Sequence, residues 1–324
     1  MITKIGNTEK DISDAATLLR RGELVAFPTE TVYGLGGNAL DREASKKIYA
    51  VKGRPSDNPL IVHLTEWEDL SAVAYPTEQA RLLYGAFCPG PLTMILKKKP
   101  IVPDETTGGR QTVAVRFPSH PVARALIKQA GVPVAAPSAN VSKHVSPTTA
   151  RHVLEDLDGK IPMILEGGDA EVGIESTIVD LTGEEPTVLR PGAITAEQIK
   201  AVLGEADYYH GEIKEALAPG MKYKHYSPKI PCYLAEAKSL QSALDKLKSQ
   251  GLRPVLIARD EAAKGIDYPT LSLGKTAAEV QHRIYGALRA AEEYDAAVIE
   301  DLSNKKEFFA AMDRIKKATG GNKL

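Results

Sequence analysis

Residues 112–136 read TVAVRFPSHPVARALIKQAGVPVAA. The first six alternate with the period of two of a β-strand. Val113, Val115 and Phe117 share one face, and Thr112, Ala114 and Arg116 share the other. Residues 121–130 then repeat apolar positions at helical spacing and stop at Gly131, and 132–136 reads as a second apolar strand. Strand, helix and strand in succession are the unit of an α/β fold. Arg116, on the face of an otherwise apolar strand, needs an anionic partner, supplied by the protein or by a ligand carboxylate or phosphate. The small Ala114 between two hydrogen-bonding residues marks that face as open to a ligand.

The same alternation extends to both sides. Helices are expected over 12–22, 43–51 and 77–87, and strands over 24–27, 60–64 and 92–96. Further strands fall near 162–165, 177–180 and 187–189. Ser146-Pro147 reads as an N-cap with proline at the first helical position, and Thr195 with Gln198 as a capping box for a helix over 196–203. Periodicity lapses over 205–229, which ends in the polar-aromatic run KYKHYSP. A structureless stretch of this length is usually a linker or functional. Strands at 230–234, 254–258, 270–273 and 297–299 then alternate with helices at 240–249, 276–293 and 305–318. That is the pattern of a small parallel, doubly wound domain. The division expected is a first domain over 1–205, a linker over 206–229 and a second domain over 230–324.

Composition narrows the classes of function. The chain has 324 residues, enough for two domains at about 150 residues each, and 43% of them are apolar. Its 41 Lys and Arg nearly cancel its 42 Asp and Glu, so global charge does not hold it on nucleic acid, although a local basic patch stays open. Two cysteines, Cys88 and Cys232, build neither a disulfide framework nor a zinc site and read as buried free thiols. A polar start and the lack of a long apolar run give a cytoplasmic protein as the expectation.

The polar groups that could carry chemistry cluster in short loops of the first domain. PTETVYGLGGN (28–38) follows a strand, and its glycines allow close backbone approach. Lys52 and Arg54 end a helix, followed by Asn58 and His63. They either complement the helix dipole or clamp phosphates. Ser138, Asn140 and Ser146 lie in APSANVSKHVSPTTA, Ser176 and Thr177 in GIESTIVD, and Arg190 in LRPG. No G-x-S-x-G elbow, H-E-x-x-H or zinc spacing occurs. Gly274-Lys275-Thr276 is not a P-loop, because Pro269 stands where the first glycine belongs; Thr276 reads as a helix cap. Many hydroxyls, several cations and no evident nucleophile point to positioning and charge stabilisation, as in phosphoryl or nucleotidyl transfer.

These stretches, taken in order, resemble the long, two-domain form of the L-threonylcarbamoyladenylate synthase family. The match carries FPTETVYGLG, Lys52 and Arg54 with DNPLIVH, PGPLT, TVAVRFP, Ser138 with Asn140, ESTIVD, LRPG and APGMKYKHYSP. The resemblance implies an open, twisted, mixed α/β sheet of YrdC-like type with a central cavity, followed by a Rossmann-like parallel α/β domain. It also implies that L-threonine, bicarbonate or CO2 and ATP give threonylcarbamoyl-AMP and pyrophosphate. That product would go to a separate transferase complex, which modifies the adenosine beside the anticodon of ANN-decoding tRNAs. Thr31, His63, Arg116, Ala136 and Ser176 would hold threonine. Lys52, Arg54, Asn58, Thr112, Ser138, Asn140, Ser146, Arg190 and Tyr226 would hold ATP, with Lys52 and Arg54 catalytic at the α-phosphate. Mg²⁺ would arrive on the ATP phosphates, with no protein metal site, and residues 220–228 would form a lid. Two other functions compete: an RNA-binding module without catalysis, weakened by the near-neutral charge, and a hydrogenase-maturation carbamoyltransferase, whose zinc modules two cysteines cannot supply. Direct tRNA contact alongside catalysis stays open.

Overall fold

A computed structural model of the chain describes residues 2–211 and 226–324. They divide into two compact units. The first holds 2–142, 147–171 and 175–211; the second holds 143–146, 172–174 and 226–324.

The first unit runs β1 (Lys4–Gly6), α1 (Glu9–Arg20), β2 (Val25–Phe27), β3 (Gly34–Asn38), α2 (Arg42–Lys52), β4 (Ile61–His63), α3 (Leu70–Val73) and α4 (Glu78–Phe87). It continues with β5 (Leu92–Lys97), α5 (Asp104–Thr107), β6 (Thr112–Arg116), α6 (Pro121–Ala130), β7 (Val134–Ala135), α7 (Ala150–Leu157), β8 (Met163–Leu165), β9 (Thr177–Asp180), β10 (Thr187–Arg190), α8 (Ala196–Leu203) and β11 (Asp207–Tyr208). The strands form one mixed sheet in the order β1-β8-β2-β3-β7-β4-β6-β5-β9-β10-β11.

Local chemistry sets the helix ends. Thr8 and Asp11 close a reciprocal capping box at the start of α1, as do Thr195 and Gln198 at the start of α8. Pro121 opens α6, where its missing N–H costs no intrahelical bond. Gly53 ends α2 in the left-handed region at φ 60°.

The two faces of the sheet are covered differently. One carries Leu24, Ala26, Val62, Met94, Val113, Val115 and Val179, packed against residues of α2, α3, α4, α7 and α8. Val113, Val115 and Phe117 all enter this core, as the alternation of 112–117 requires. On the opposite face, Val25, Phe27, Val134, Met163 and Leu165 pack under α1 and α6. Farther along that face lies a small cluster of strand residues alone: Ile61, Ile95, Ala114, Ile178 and Leu189. Phe27 and His63 meet edge-on at 6.2 Å, which joins the two clusters into one surface. Among the described residues, the cluster around Ala114 holds strand residues and no helix residue.

The second unit adds β12 (Cys232–Ala235), α9 (Leu240–Ser249), β13 (Pro254–Ala258), β14 (Thr270–Ser272), α10 (Ala277–Ala290), β15 (Ala296–Glu300) and α11 (Phe309–Thr319). Its strands are all parallel, in the order β12-β15-β13-β14. Thr276 caps α10 with Glu279 in a capping box. Cys88 and Cys232 are free, and burial pushes both thiols up to about 12, too high for a ready nucleophile.

Three expectations need correction. Gly34, Gly36 and Gly37 lie in strand β3, not in an open loop: a Cβ on Gly36 would stand 2.8 Å from the Phe27 ring and 2.9 Å from Val134. Ser146-Pro147 opens no helix. Thr149 caps α7 by accepting from the His152 N–H, while the Pro147 carbonyl accepts from the Tyr33 N–H at 2.9 Å. The stretch 205–229 contains β11, which extends the first sheet beside β10. Residues 220–225 of the expected lid lie outside the described residues.

Candidate active site

Strand β6 lies between β4 and β5, and its register sets a row of polar side chains. Arg116 pairs with His63 on one side and with Thr93 on the other. The Thr93 hydroxyl meets the Ser176 hydroxyl at 2.7 Å. Arg190 then donates from Nε to the Ser176 carbonyl at 3.0 Å and from Nη2 to its hydroxyl at 3.1 Å. His63, Arg116, Ser176 and Arg190, from separate stretches of sequence, thus form one line along the edge of the Ala114 cluster.

Arg116 is buried and paired. Its Nη2 donates to Glu30 Oε1 at 2.7 Å, and Glu30 Oε2 accepts the Ser119 N–H at 3.1 Å. Burial alone would raise the Glu30 carboxyl, but the charge and hydrogen bond of Arg116 outweigh it and hold the acid below the usual carboxylate range. The Nε of the same guanidinium is buried with no partner among the described residues. An orphaned donor on a permanently charged group is costly unless something else binds it. Thr29 and Thr31 stand beside it, their hydroxyls 2.9 Å apart, with Thr29 Oγ1 3.5 Å from Arg116 Nη2.

His63 Nδ1 lies 3.0 Å from the Ile61 carbonyl, which can only accept, so Nδ1 carries a proton. Burial, reinforced by the Arg116 charge, pushes the imidazole down to about 3. The ring is neutral at any working pH and adds no charge that competes with Arg116. It also gives a stability signature. Between about pH 6.5 and 3 the unfolded chain binds a proton that the folded chain refuses, so stability falls as pH falls. Going from pH 7 to 5 should cost about 2 kcal/mol. Denaturant titration of wild type and His63→Gln checks this: the variant should lose about that much less over the same range.

A second group stands around the end of α2. Lys52 is buried, and its ammonium donates to the Ser138 carbonyl, the Asn140 carbonyl and Asn140 Oδ1. The Ser138 hydroxyl donates to the same Asn140 oxygen. The Lys52 carbonyl accepts from the Ser142 N–H at 2.8 Å, and Ala139 N–H donates to the Tyr33 carbonyl at 2.8 Å. Burial, with the Arg54 charge nearby, pushes the lysine well below its ordinary range. Lys52 therefore holds the 138–142 loop rather than standing out as a solvated cation. Arg54 donates to the carbonyls of Asn58 at 3.2 Å and Pro59 at 3.0 Å. Asn58 Oδ1 is a second buried polar atom with no partner among the described residues.

Thr112 is half-buried at the far end of the Ala114 face, and the Ala136 N–H is taken by the Ile61 carbonyl at 2.9 Å. Ser146 and Tyr226 belong to the second unit. Ser146 is buried, and Tyr226 stacks its ring on Tyr285 at 5.3 Å, with the Arg314 guanidinium 5.9 Å from its centre. Sequence reasoning missed Glu30 as the partner of Arg116 and Thr93 as the link to Ser176. Among the described residues no group of three or more His, Cys, Asp or Glu could hold a metal ion.

Two family models match the chain: one described as "Telomere recombination" over residues 17–192, and one described as "Threonylcarbamoyl-AMP synthase, C-terminal domain" over 194–320. Threonylcarbamoyl-AMP synthase of Pyrococcus abyssi is 42% identical over 96% of this chain and 95% of its own length. The protein of the same name from Bacillus subtilis is 43% identical over 98% of this chain and 95% of its own. The solved structure described as "Crystal structure of P. abyssi Sua5 complexed with L-threonine" superposes with a TM-score of 0.94 at 41% identity, covering 99% of this chain and 100% of that one.

Proposed function

This chain belongs to the threonylcarbamoyl-AMP synthase family of nucleotidyltransferase-type enzymes, and on that footing we propose that it joins L-threonine, bicarbonate or CO2 and ATP. The threonine amine is first carboxylated. A carbamate oxygen then attacks the α-phosphorus of ATP, the bond to the β-phosphate oxygen breaks, and pyrophosphate leaves. The product is a mixed anhydride, suited to pass its threonylcarbamoyl group to the adenosine beside the anticodon of ANN-decoding tRNAs through a separate transferase.

The observation that supports this best is the orphaned Arg116 Nε, buried between neutral His63 and the Thr93–Ser176 hydroxyl pair. A carboxylate there satisfies the donor and gains a charge-assisted bond in a dry setting. Glu30 keeps the guanidinium oriented, and Thr31, His63 and Ser176 surround the amino acid, with the backbone near Ala136 beside it. The L-threonine complex of the Pyrococcus relative supports this choice of substrate.

ATP lies along the same face. Thr112 and Arg116 are four residues apart on one strand, about 13 Å, so one end of the strand face meets the amino acid and the other the nucleotide. Arg54 and Arg190 offer guanidinium charge to the phosphates, and Asn58 Oδ1 supplies an acceptor. Ser138 and Asn140 supply polar contacts, and Lys52 fixes both. Mg²⁺ enters with the ATP phosphates as part of the substrate. No helix among the described residues is long and apolar enough to cross a membrane.

The test is a pyrophosphate assay on the purified chain. Release from MgATP is expected only with threonine and bicarbonate both present. Equal release without threonine rules the reaction out.

A further inference from the structure

The second unit carries a charged cavity that the proposed reaction leaves unused. Three parallel strands end side by side there: β12 at Ala235, β15 at Glu300 and β13 at Ala258. The chain leaves β12 toward α9, which packs on Ala235, Leu256, Ala258 and Val298. The turn after β13 returns Ala262, Ala263 and Ile266 to that same cluster. After β15 the chain goes instead to α11, which adds nothing to that cluster and packs on β12 and α10. The middle strand therefore exits to the opposite side from both neighbours. In open α/β sheets such a reversal at the carboxyl ends of strands leaves a ligand crevice. Here it is a cavity of 530 Å³ lined by all three exits.

Its floor is a buried ion pair. The Glu300 carboxylate, 1% exposed, takes three bonds from Arg259: the backbone N–H at 3.0 Å, Nε at 3.3 Å and Nη2 at 2.6 Å. Arg259 also lies over the Phe308 ring at 5.3 Å. That fixes the guanidinium in place. Burying such a pair is rarely a gain in stability over apolar residues of the same volume. The remaining nitrogen, Nη1, meets the carboxylate of Glu261 at 2.8 Å, a side chain that is 66% exposed. Lys305 Nζ reaches the same carboxylate at 3.8 Å. Two cations thus converge on one solvent-facing carboxylate, whose hold is worth at most about 1 kcal/mol.

We propose that this crevice binds a phosphomonoester of a hydroxyl-bearing small molecule, a sugar or nucleoside monophosphate, whose phosphate displaces Glu261 from Arg259 and Lys305. A dianion suits two convergent cations better than the single carboxylate now between them. Glu236 and Asp301 also line the cavity, where they hold Lys238 at 3.0 Å and Lys323 at 3.1 Å, and their carboxylates have further lone pairs to accept from ligand hydroxyls.

The probes are ribose 5-phosphate and inorganic phosphate, titrated into the full chain at low salt. Exchange protection of residues 259–261 and 300–305 locates the binding away from Arg116. Ribose 5-phosphate should bind saturably and more tightly than phosphate alone. Glu261→Gln removes the competing carboxylate and should tighten binding about three- to fivefold, while Lys305→Gln should weaken it by a similar factor. Both side chains are at the surface, so folding is unaffected. Absence of saturable binding, or affinity indifferent to both substitutions, overturns the site. Equal affinity for inorganic phosphate overturns the hydroxyl contacts. The catalytic proposal stands or falls separately, because pyrophosphate release does not depend on this crevice.

Discussion

Arg116→Lys is expected to lower kcat/KM for threonine by about thirty- to a hundredfold while leaving the KM for ATP and the thermal midpoint near wild type. Lysine keeps a positive charge opposite Glu30, so the buried pair survives. What it lacks is the fork: one nitrogen cannot bond Glu30 on one side and a substrate carboxylate on the other, as Nη2 and Nε can. Losing a charge-assisted bond of that kind is worth about 2–3 kcal/mol. Alanine is a poorer test, because stranding the buried Glu30 costs about 3–5 kcal/mol of stability and blurs the reading. An equal fall for ATP and threonine would show that Arg116 supports the sheet and does not hold the amino acid.

Lys52→Met should lose both activity and stability, and the combination is diagnostic. The ammonium holds the Ser138 and Asn140 carbonyls together. Removing it leaves both acceptors without this donor, at about 1–3 kcal/mol each. The loop they anchor carries two of the residues assigned to ATP, so the KM for ATP should rise at least about tenfold. Arg54→Ala, which removes a half-buried side chain that donates to the Asn58 and Pro59 carbonyls, should cut turnover by about tenfold or more with a smaller loss in thermal midpoint than Lys52→Met. A Lys52→Met chain that melts like wild type would remove the loop-holding role and return the lysine to the phosphates.

Much of this was legible in the sequence, for reasons particular residues make plain. The two faces of 112–117 follow from a period of two, and that alternation placed Thr112 and Arg116 on the face opposite Val113, Val115 and Phe117. Capping boxes at Thr195 and Thr276 are local chemistry, readable within four residues. The glycines of β3 were not legible as a strand, because their reason is packing: the Phe27 ring and Val134 leave no room for a side chain at Gly36. Ser146-Pro147 has the composition of a helix start, but the backbone there is engaged with Tyr33, and Thr149 caps α7 instead. Glu30 lies 86 residues from Arg116. An arginine on a strand face announces that an anion is needed, and only the fold shows that the protein supplies one and leaves a second donor over. The duty of Lys52 is hidden likewise, since its acceptors are backbone atoms that belong to no motif.

The most direct measurement is a crystal structure of the wild-type chain soaked with L-threonine and a non-hydrolysable ATP analogue. The threonine carboxylate should lie within hydrogen-bonding distance of Arg116 Nε, with the α-phosphate on the same sheet face, toward Arg54. Threonine bound elsewhere, with Arg116 Nε untouched, would overturn the assignment of this face to the amino acid.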